Sequence, residues 1–226
     1  MEALNNVTGA VIVEVVEGEG GVNPGAREYL LGLQELCDQQ GAMLIVDEVH
    51  TGFGRTGALC ACQHHGLEPD LLCLGKGIAG GLPMGAIAIG ENVKDLPKSV
   101  HGSTFGGNPL ACAASLAALE TYQIERLSQR SAELGTYLIE RLSNIPSPLI
   151  REVRGMGLMV GVDLRIRVAP VLKALQEKGI LALPAGPTIL RLLPPLVISK
   201  EELDMVIMAI DEILVKMAPS GIGVRP

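Results

Sequence analysis

Tryptophan is missing from this 226-residue chain, and two phenylalanines and three tyrosines supply all of its aromatic surface. So sparse a set offers no platform on which unpaired nucleobases could stack. Runs of Lys and Arg are missing too, and the formal net charge is −7, which argues against a phosphate-backbone partner. Apolar residues make up 48% of the chain and the mean hydropathy is +0.36. Glycines and charges nevertheless interrupt every apolar stretch well short of the roughly 20 residues a membrane helix needs. The opening Met1-Glu-Ala-Leu-Asn-Asn has neither a basic start nor an apolar signal core, so the cytoplasm is the expected compartment.

Cysteine is also scarce. An odd number, Cys37, Cys60, Cys62, Cys73 and Cys112, implies reduced thiols and no disulfide framework. Cys60, Cys62, His64 and His65 form one local cluster of ligand-type side chains. Structural zinc sites draw ligand pairs from two separated segments, and the spacing here matches neither Cys-x-x-Cys nor a helical His pair. No metal site is expected.

What is present is an alternation of short apolar runs and amphipathic segments. Ala10–Val16 and Ala42–Val46 are β-branched, buried-type strands separated by a helical pattern over Tyr29, Leu30, Leu33 and Leu36 that ends at Gly41. Leu71–Leu74 and Ala86–Ile89 are two further apolar runs. The alternation predicts a parallel α/β sheet covered on both faces. Pro109–Gln123 reads as an Ala- and Leu-rich helix, followed by a second helix over about residues 124–143. After the Pro146-Ser-Pro148 break the texture becomes that of a smaller α+β domain: strands at Leu158–Leu164 and Ile189–Leu193, helices at Val168–Lys178 and Glu201–Lys216. The expected division is residues 1–145 for a large domain, 146–218 for a small one, and a mobile tail over 219–226.

Ligands of open parallel sheets bind at the carboxyl ends of the strands. Three polar features sit at such ends: Glu14 to Glu19, Asp47 to His50, and Lys76 between Gly75 and Gly77. A structural ion pair would explain an acid and a lysine there. So would a lysine desolvated in a glycine-lined pocket, which attacks carbonyls as the free amine, beside an aspartate that keeps a pyridine nitrogen protonated. Gly52-Phe-Gly-Arg-Thr-Gly57 matches Gly-x-Gly-x-x-Gly, but it starts five residues beyond the strand instead of at its end, and no acidic strand end lies about 20 residues on, so dinucleotide binding is disfavoured. Gly77 occupies the position where a P-loop needs Ser or Thr.

The string Asp47-Glu-Val-His-Thr-Gly-Phe-Gly-Arg-Thr-Gly57 resembles the Asp-Glu-Val-Gln-Thr-Gly-x-Gly-Arg-Thr-Gly signature of class III aminotransferases. The resemblance continues through Gly66–Asp70, Gly75–Gly85, His101–Ala111 and Arg191–Ile198, in family order and over nearly the whole chain. Within the family it is similar to the acetylornithine group, including enzymes that act on a carrier-protein-linked lysine. Leu183–Leu196 leans towards the latter. The resemblance implies a pyridoxal 5′-phosphate (PLP)-dependent transferase of fold type I, aspartate-aminotransferase-like, represented by part of its large domain plus the small C-terminal one. It implies a small-molecule amino donor, a 2-oxo acid acceptor and a homodimer.

By position the resemblance makes Lys76 the lysine that holds the cofactor covalently and moves the proton. Asp47 becomes the partner of the pyridine nitrogen, with Glu48, Val49 and His50 also at the cofactor. Val49 packs on the ring, and His50 stands where the family has Gln at the ring hydroxyl. Thr104 would reach the cofactor phosphate of the neighbouring subunit, and Ser103 the substrate. Arg191 would clamp the substrate α-carboxylate, with Glu19 as its alternate partner and Glu14 also at the substrate. Glu14-Val-Val-Glu-Gly-Glu-Gly-Gly21 departs from the usual Glu-Pro-Ile-Gln-Gly-Glu. Full-length members carry a Ser-Gly-Thr phosphate cradle and a stacking aromatic before the position matching Met1. Without them an unpaired sheet edge and weakened cofactor binding are expected. A remnant that acts only through protein association is the alternative.

Overall fold

The computed structural model describes residues 4, 5, 7–94, 97 and 100–218, so the tail expected over 219–226 lies outside the described residues. The chain forms two compact units. The first takes residues up to Val16 together with Gly25–Gln129, and the second takes Glu17–Pro24 together with the chain from Arg130 onward.

The first unit is built on four strands, β1 (Ala10–Glu14), β4 (Met43–Asp47), β5 (Leu71–Leu74) and β6 (Ala86–Ile89), in the order β1-β4-β5-β6. Between β1 and β4, β2 (Val16–Glu17) and β3 (Asn23–Pro24) form a separate two-residue pair. Helix α1 (Arg27–Gln40) links them to β4, burying Leu30, Leu33 and Cys37 at helical spacing and ending on left-handed Gly41. β1 pairs parallel with β4, and β4 with β5, as the alternation predicts. β6 instead runs antiparallel to β5, so the sheet is mixed. A parallel return takes a crossover of about a dozen residues or more, and the Gly75–Gly85 connection, mostly turns, falls short of that.

The expected covering of both faces is also corrected. Leu44 and Val46 of β4 are buried, while Ile12, Met43, Ile87 and Ile89 are exposed on the alternate positions. That open side borders a cleft of about 1130 Å³ lined by residues including Met43, Leu71, Cys73, Ile87 and Ile89. Helix α2 (Pro109–Ile124) opens with Pro109 at its first position and with the Asn108 side chain accepting from the Ala111 amide at 3.0 Å.

The second unit is an antiparallel sheet in the order β7-β8-β10-β9, formed by β7 (Ile150–Met156), β8 (Met159–Leu164), β9 (Leu183–Ala185) and β10 (Ile189–Leu192). Its core joins Val160, Val162 and Leu190 from the sheet to Leu138 and Leu142 of α3 (Leu127–Ser143), Val171 and Leu175 of α4 (Val168–Glu177), and Ile210 and Leu214 of α5 (Lys200–Met217). Because Leu138 and Leu142 belong to that core, the units divide at Gln129/Arg130, upstream of the Pro146 break where the sequence texture changes. Gly135 of α3 lies so close to the β7–β8 turn that an added Cβ would meet the Gly157 carbonyl oxygen at 2.2 Å.

Candidate active site

The carboxyl ends of three neighbouring strands carry the polar groups. Glu14 ends β1 and Asp47 ends β4, and the two are register partners. Asp47 also pairs with Cys73 on β5, two residues before Gly75. Period-two alternation sets Glu14 and Asp47 on the same side of the sheet as Ile12 and Met43, the open side.

Beyond Asp47 the chain turns sharply. The Asp47 Oδ1 accepts from the Val49 amide at 2.9 Å, and the Glu48 amide donates to the Cys73 carbonyl at 2.9 Å, keeping the turn attached to β5. Val49 then packs beside the Lys76 loop: a Cβ on Gly75 would stand 3.4 Å from its nearest methyl. His50 lies towards β1, with Nδ1 3.9 Å from the Glu14 Oε2.

The Glu48 side chain is fully buried and faces the loop, accepting from the Ala61 amide at 2.9 Å, the Cys62 amide at 2.8 Å and the Thr51 hydroxyl. A carboxylate committed to three donors closes the loop.

Lys76 opens a 3-10 turn, Lys76–Ala79, in left-handed conformation with φ 46°. Such a φ is uncommon for a residue with a side chain and stores strain of about 1–3 kcal/mol. Lys76 is exposed, so the desolvating pocket expected around it is not made by the surrounding residues of this unit. The turn is tied down from α2: the Tyr122 hydroxyl donates to the Gly77 carbonyl at 2.8 Å, and the Tyr122 ring stacks on Phe53 with centroids 5.8 Å apart. Burial pushes the Tyr122 hydroxyl up, partly offset by the Arg55 charge, and burial lowers Arg55. Neither the Lys76 backbone nor the Tyr122 latch was anticipated. Only the second left a trace in the sequence, as a lone tyrosine in a helix of alanines and leucines.

Ser103 and Thr104 stand in an exposed turn before α2. The Ser103 hydroxyl accepts from the Gly106 amide at 2.9 Å and borders both the large cleft and a second cavity of about 390 Å³ that Phe105 and Asn108 also line. In the second unit, Arg191 on β10 donates to the Glu19 Oε1 at 2.8 Å. Arg191 has 6% of its side chain exposed against 71% for Glu19, and its Nε is buried without a hydrogen-bond partner. The arginine is the buried member of the pair and the carboxylate the exposed one.

The Cys60, Cys62 and His64 side chains of the local cluster find partners within their own loop. The Cys60 and Cys62 thiols are hydrogen-bonded to each other, which with burial holds the Cys62 thiol far above its usual range. The His64 Nε2 lies 3.1 Å from the Thr56 carbonyl, and all five cysteines are free thiols. Among the described residues, no helix is long and apolar enough to cross a membrane.

The mixed α/β sheet, with an acid and a glycine-flanked lysine at neighbouring parallel strand ends, has part of the fold of the PLP-dependent transferases of fold type I. The chain belongs to the class III aminotransferases: the aminotransferase class-III family model matches residues 1–214. It is 46% identical over 219 residues to a LysW-aminoadipate semialdehyde transaminase of Deinococcus radiodurans, covering 96% of this chain and 51% of that protein. It is 42% identical to an acetylornithine aminotransferase of Methanocaldococcus jannaschii, covering 96% of this chain and 55% of that one. Among solved structures, the ornithine δ-aminotransferase of Plasmodium falciparum superposes with a TM-score of 0.87 at 36% identity, covering 92% of this chain and 56% of that chain. The chain thus spans about half the length of the curated relatives it matches.

Proposed function

We propose that this chain carries the lysine-bearing part of a PLP-dependent transaminase that moves an ω-amino group from acetylornithine, or a related blocked diamino acid, to 2-oxoglutarate. The products are a semialdehyde and glutamate, a step of arginine or lysine biosynthesis. The observation that carries the reading is the placement of Asp47 and Lys76 at the ends of parallel strands β4 and β5, with Val49 packed against Gly75 between them. The names of the two curated relatives support the donor class, and the LysW name supports a donor presented on a carrier protein.

The residues present fit the cofactor: an amine, an acid, an apolar side chain and an imidazole converge on one strand-end region. When bound, the cofactor supplies an electron sink for the substrate's α-type carbanion. Lys76 would provide the covalent hold through Nζ, and the amine set free when the substrate's amino group displaces it would take and return a proton. Asp47 keeps a pyridine nitrogen protonated because each charge favours the other. Val49 fixes the ring plane by packing. Arg191 clamps a carboxylate through its planar guanidinium, and the exposed Glu19 yields its place or keeps it according to the substrate. Ser103 contacts substrate and Thr104 the phosphate held by the neighbouring subunit of a homodimer.

Adding pyridoxal phosphate, reducing with borohydride and mapping the modified peptide tests the reading. A stoichiometric label on Lys76, lost in Lys76→Ala, supports it; labels scattered over surface lysines would sink it for this chain. A second reading, association without catalysis, draws on the exposed Ile12, Ile87 and Ile89 on the open side of the sheet. That reading predicts tight binding to the rest of an aminotransferase fold with no label on Lys76.

A further inference from the structure

His50 is the residue at which the signature string departs from the family's Gln, and the structure gives it an acidic neighbour. The turn set by Asp47 and Val49, closed by the Gly52 amide donating to the Glu48 carbonyl at 2.8 Å, swings His50 from the end of β4 towards β1. There the imidazole Nδ1 stands 3.9 Å from the Glu14 Oε2, with 19% of the His50 side chain and 35% of the Glu14 side chain exposed. Glu14 cannot drift along the sheet, because its backbone is the register partner of Asp47. The separation is too long for a direct hydrogen bond, yet inside the ~4–6 Å over which an opposite charge favours the charged form. Among the described residues, β1 brings Glu14 and β4 brings Asp47 to these strand ends, and Lys76 follows β5. Glu48, the remaining acid of the turn, faces the loop and spends its oxygens on Thr51, Ala61 and Cys62.

We propose that Glu14 is a positioning residue for His50: its carboxylate is the counter-charge that holds the imidazole protonated, with Nδ1 towards β1, so that His50 meets the ring oxygen of pyridoxal phosphate as a cationic donor. The proposal rests on the reading that this site takes that cofactor. It moves Glu14 from substrate contact to support of a cofactor contact, and it follows from two features together. A glutamine amide donates without titrating and needs no counter-charge, whereas a histidine donates from both nitrogens only while protonated. With His in place of Gln, the acid on the neighbouring strand sets the charge of the donor.

The first arm of the test needs no cofactor. Long-range proton–nitrogen NMR of the chain, with histidine labelled and the His50 signals assigned through His50→Gln, reads the protonation of His50 against pH. In Glu14→Gln its midpoint falls by about one pH unit relative to wild type, a roughly tenfold weaker proton affinity, and Glu14→Asp retains part of the difference. An unchanged midpoint in both variants, with the rest of the spectrum intact, overturns the proposal. The second arm adds pyridoxal phosphate to the wild-type chain. His50 nitrogen signals that shift while Lys76 becomes labelled support the contact, and a labelled Lys76 with unmoved His50 signals overturns it. Failure of Lys76 labelling itself counts against the proposed function, and the first arm still decides the Glu14–His50 pairing.

Discussion

The Tyr122 hydroxyl donates to the Gly77 carbonyl at 2.8 Å, so helix α2 grips the turn that presents Lys76. Removing the hydroxyl in Tyr122→Phe keeps the ring against Phe53 and deletes only the latch, costing about 1 kcal/mol. Lys76 labelling by pyridoxal phosphate is expected to slow, and backbone amides of Lys76–Ala79 to exchange faster. The pH dependence has a definite sign. Burial raises the folded Tyr122 hydroxyl above its ordinary value near 10, so its contribution is intact below about pH 10 and is lost as pH rises through the folded value. Denaturant titrations between pH 9 and 12 should show a downward slope in wild type that is shallower in Tyr122→Phe.

The left-handed backbone of Lys76 sets stability against chemistry. Glycine populates φ 46° without a Cβ conflict, so Lys76→Gly is expected to raise the stability of the first unit by about 1 kcal/mol while abolishing the borohydride-fixed label. Lys76→Ala loses the label as well but gains nothing, because alanine keeps the conflict. Midpoints of chemical unfolding for the two variants, measured side by side, check the difference. Equal midpoints would show that the turn carries no strain.

Glu48 is expected to behave as a structural residue. The Ala61 and Cys62 amides bond to different oxygens of Glu48, so Glu48→Gln keeps an acceptor for only one of them and sets its NH2 against the other, a loss of about 2 kcal/mol. Hydrogen exchange at the Ala61 and Cys62 amides should rise well before that of β4. A variant with unchanged exchange but weaker pyridoxal phosphate binding would return Glu48 to the cofactor.

Gly135→Ala tests the seam between α3 and the β7–β8 turn. The new methyl would overlap the Gly157 carbonyl oxygen, backbone against backbone, so relief requires the helix to shift. A loss of about 3 kcal/mol is expected. It should appear in thermal unfolding followed through Tyr137, which sits on α3. Little or no change in midpoint would mean that the seam is looser than the contact implies.

Strands and helices with strong periodicity were legible in the sequence: β1, β4, β5, α1 and α5 lie within a few residues of their expected places. β7 was not, because Ile150-Arg-Glu-Val-Arg-Gly-Met156 mixes charges into a strand that turns one side outward. The reversed direction of β6 depends on how little chain lies between Leu74 and Ala86, a length that the apolar runs themselves do not weigh. The strand-end acid and lysine could be read from residue type and spacing. The exposure of Lys76, its left-handed backbone and the inward turn of Glu48 are tertiary outcomes, set by which neighbours supply donors and which face stays open.

Residues 17–24 belong to the second unit although their neighbours in sequence on both sides build the first. Within that unit the carbonyls of Gly21 and Val22 receive the Arg154 guanidinium at 2.8 and 3.2 Å, and Val22 fills the space over Gly161, where a Cβ would come within 3.0 Å of it. Cutting the gene once, at codon 130, would therefore not yield a self-sufficient module: the excised piece would lack its own plug and leave the Arg154 guanidinium with Glu152 in place of three acceptors. Recombination between relatives faces the same interlock. A hybrid that exchanges residues 130–218 inherits a mismatched insert unless 17–24 travels with them, so the two stretches are expected to be inherited as one unit.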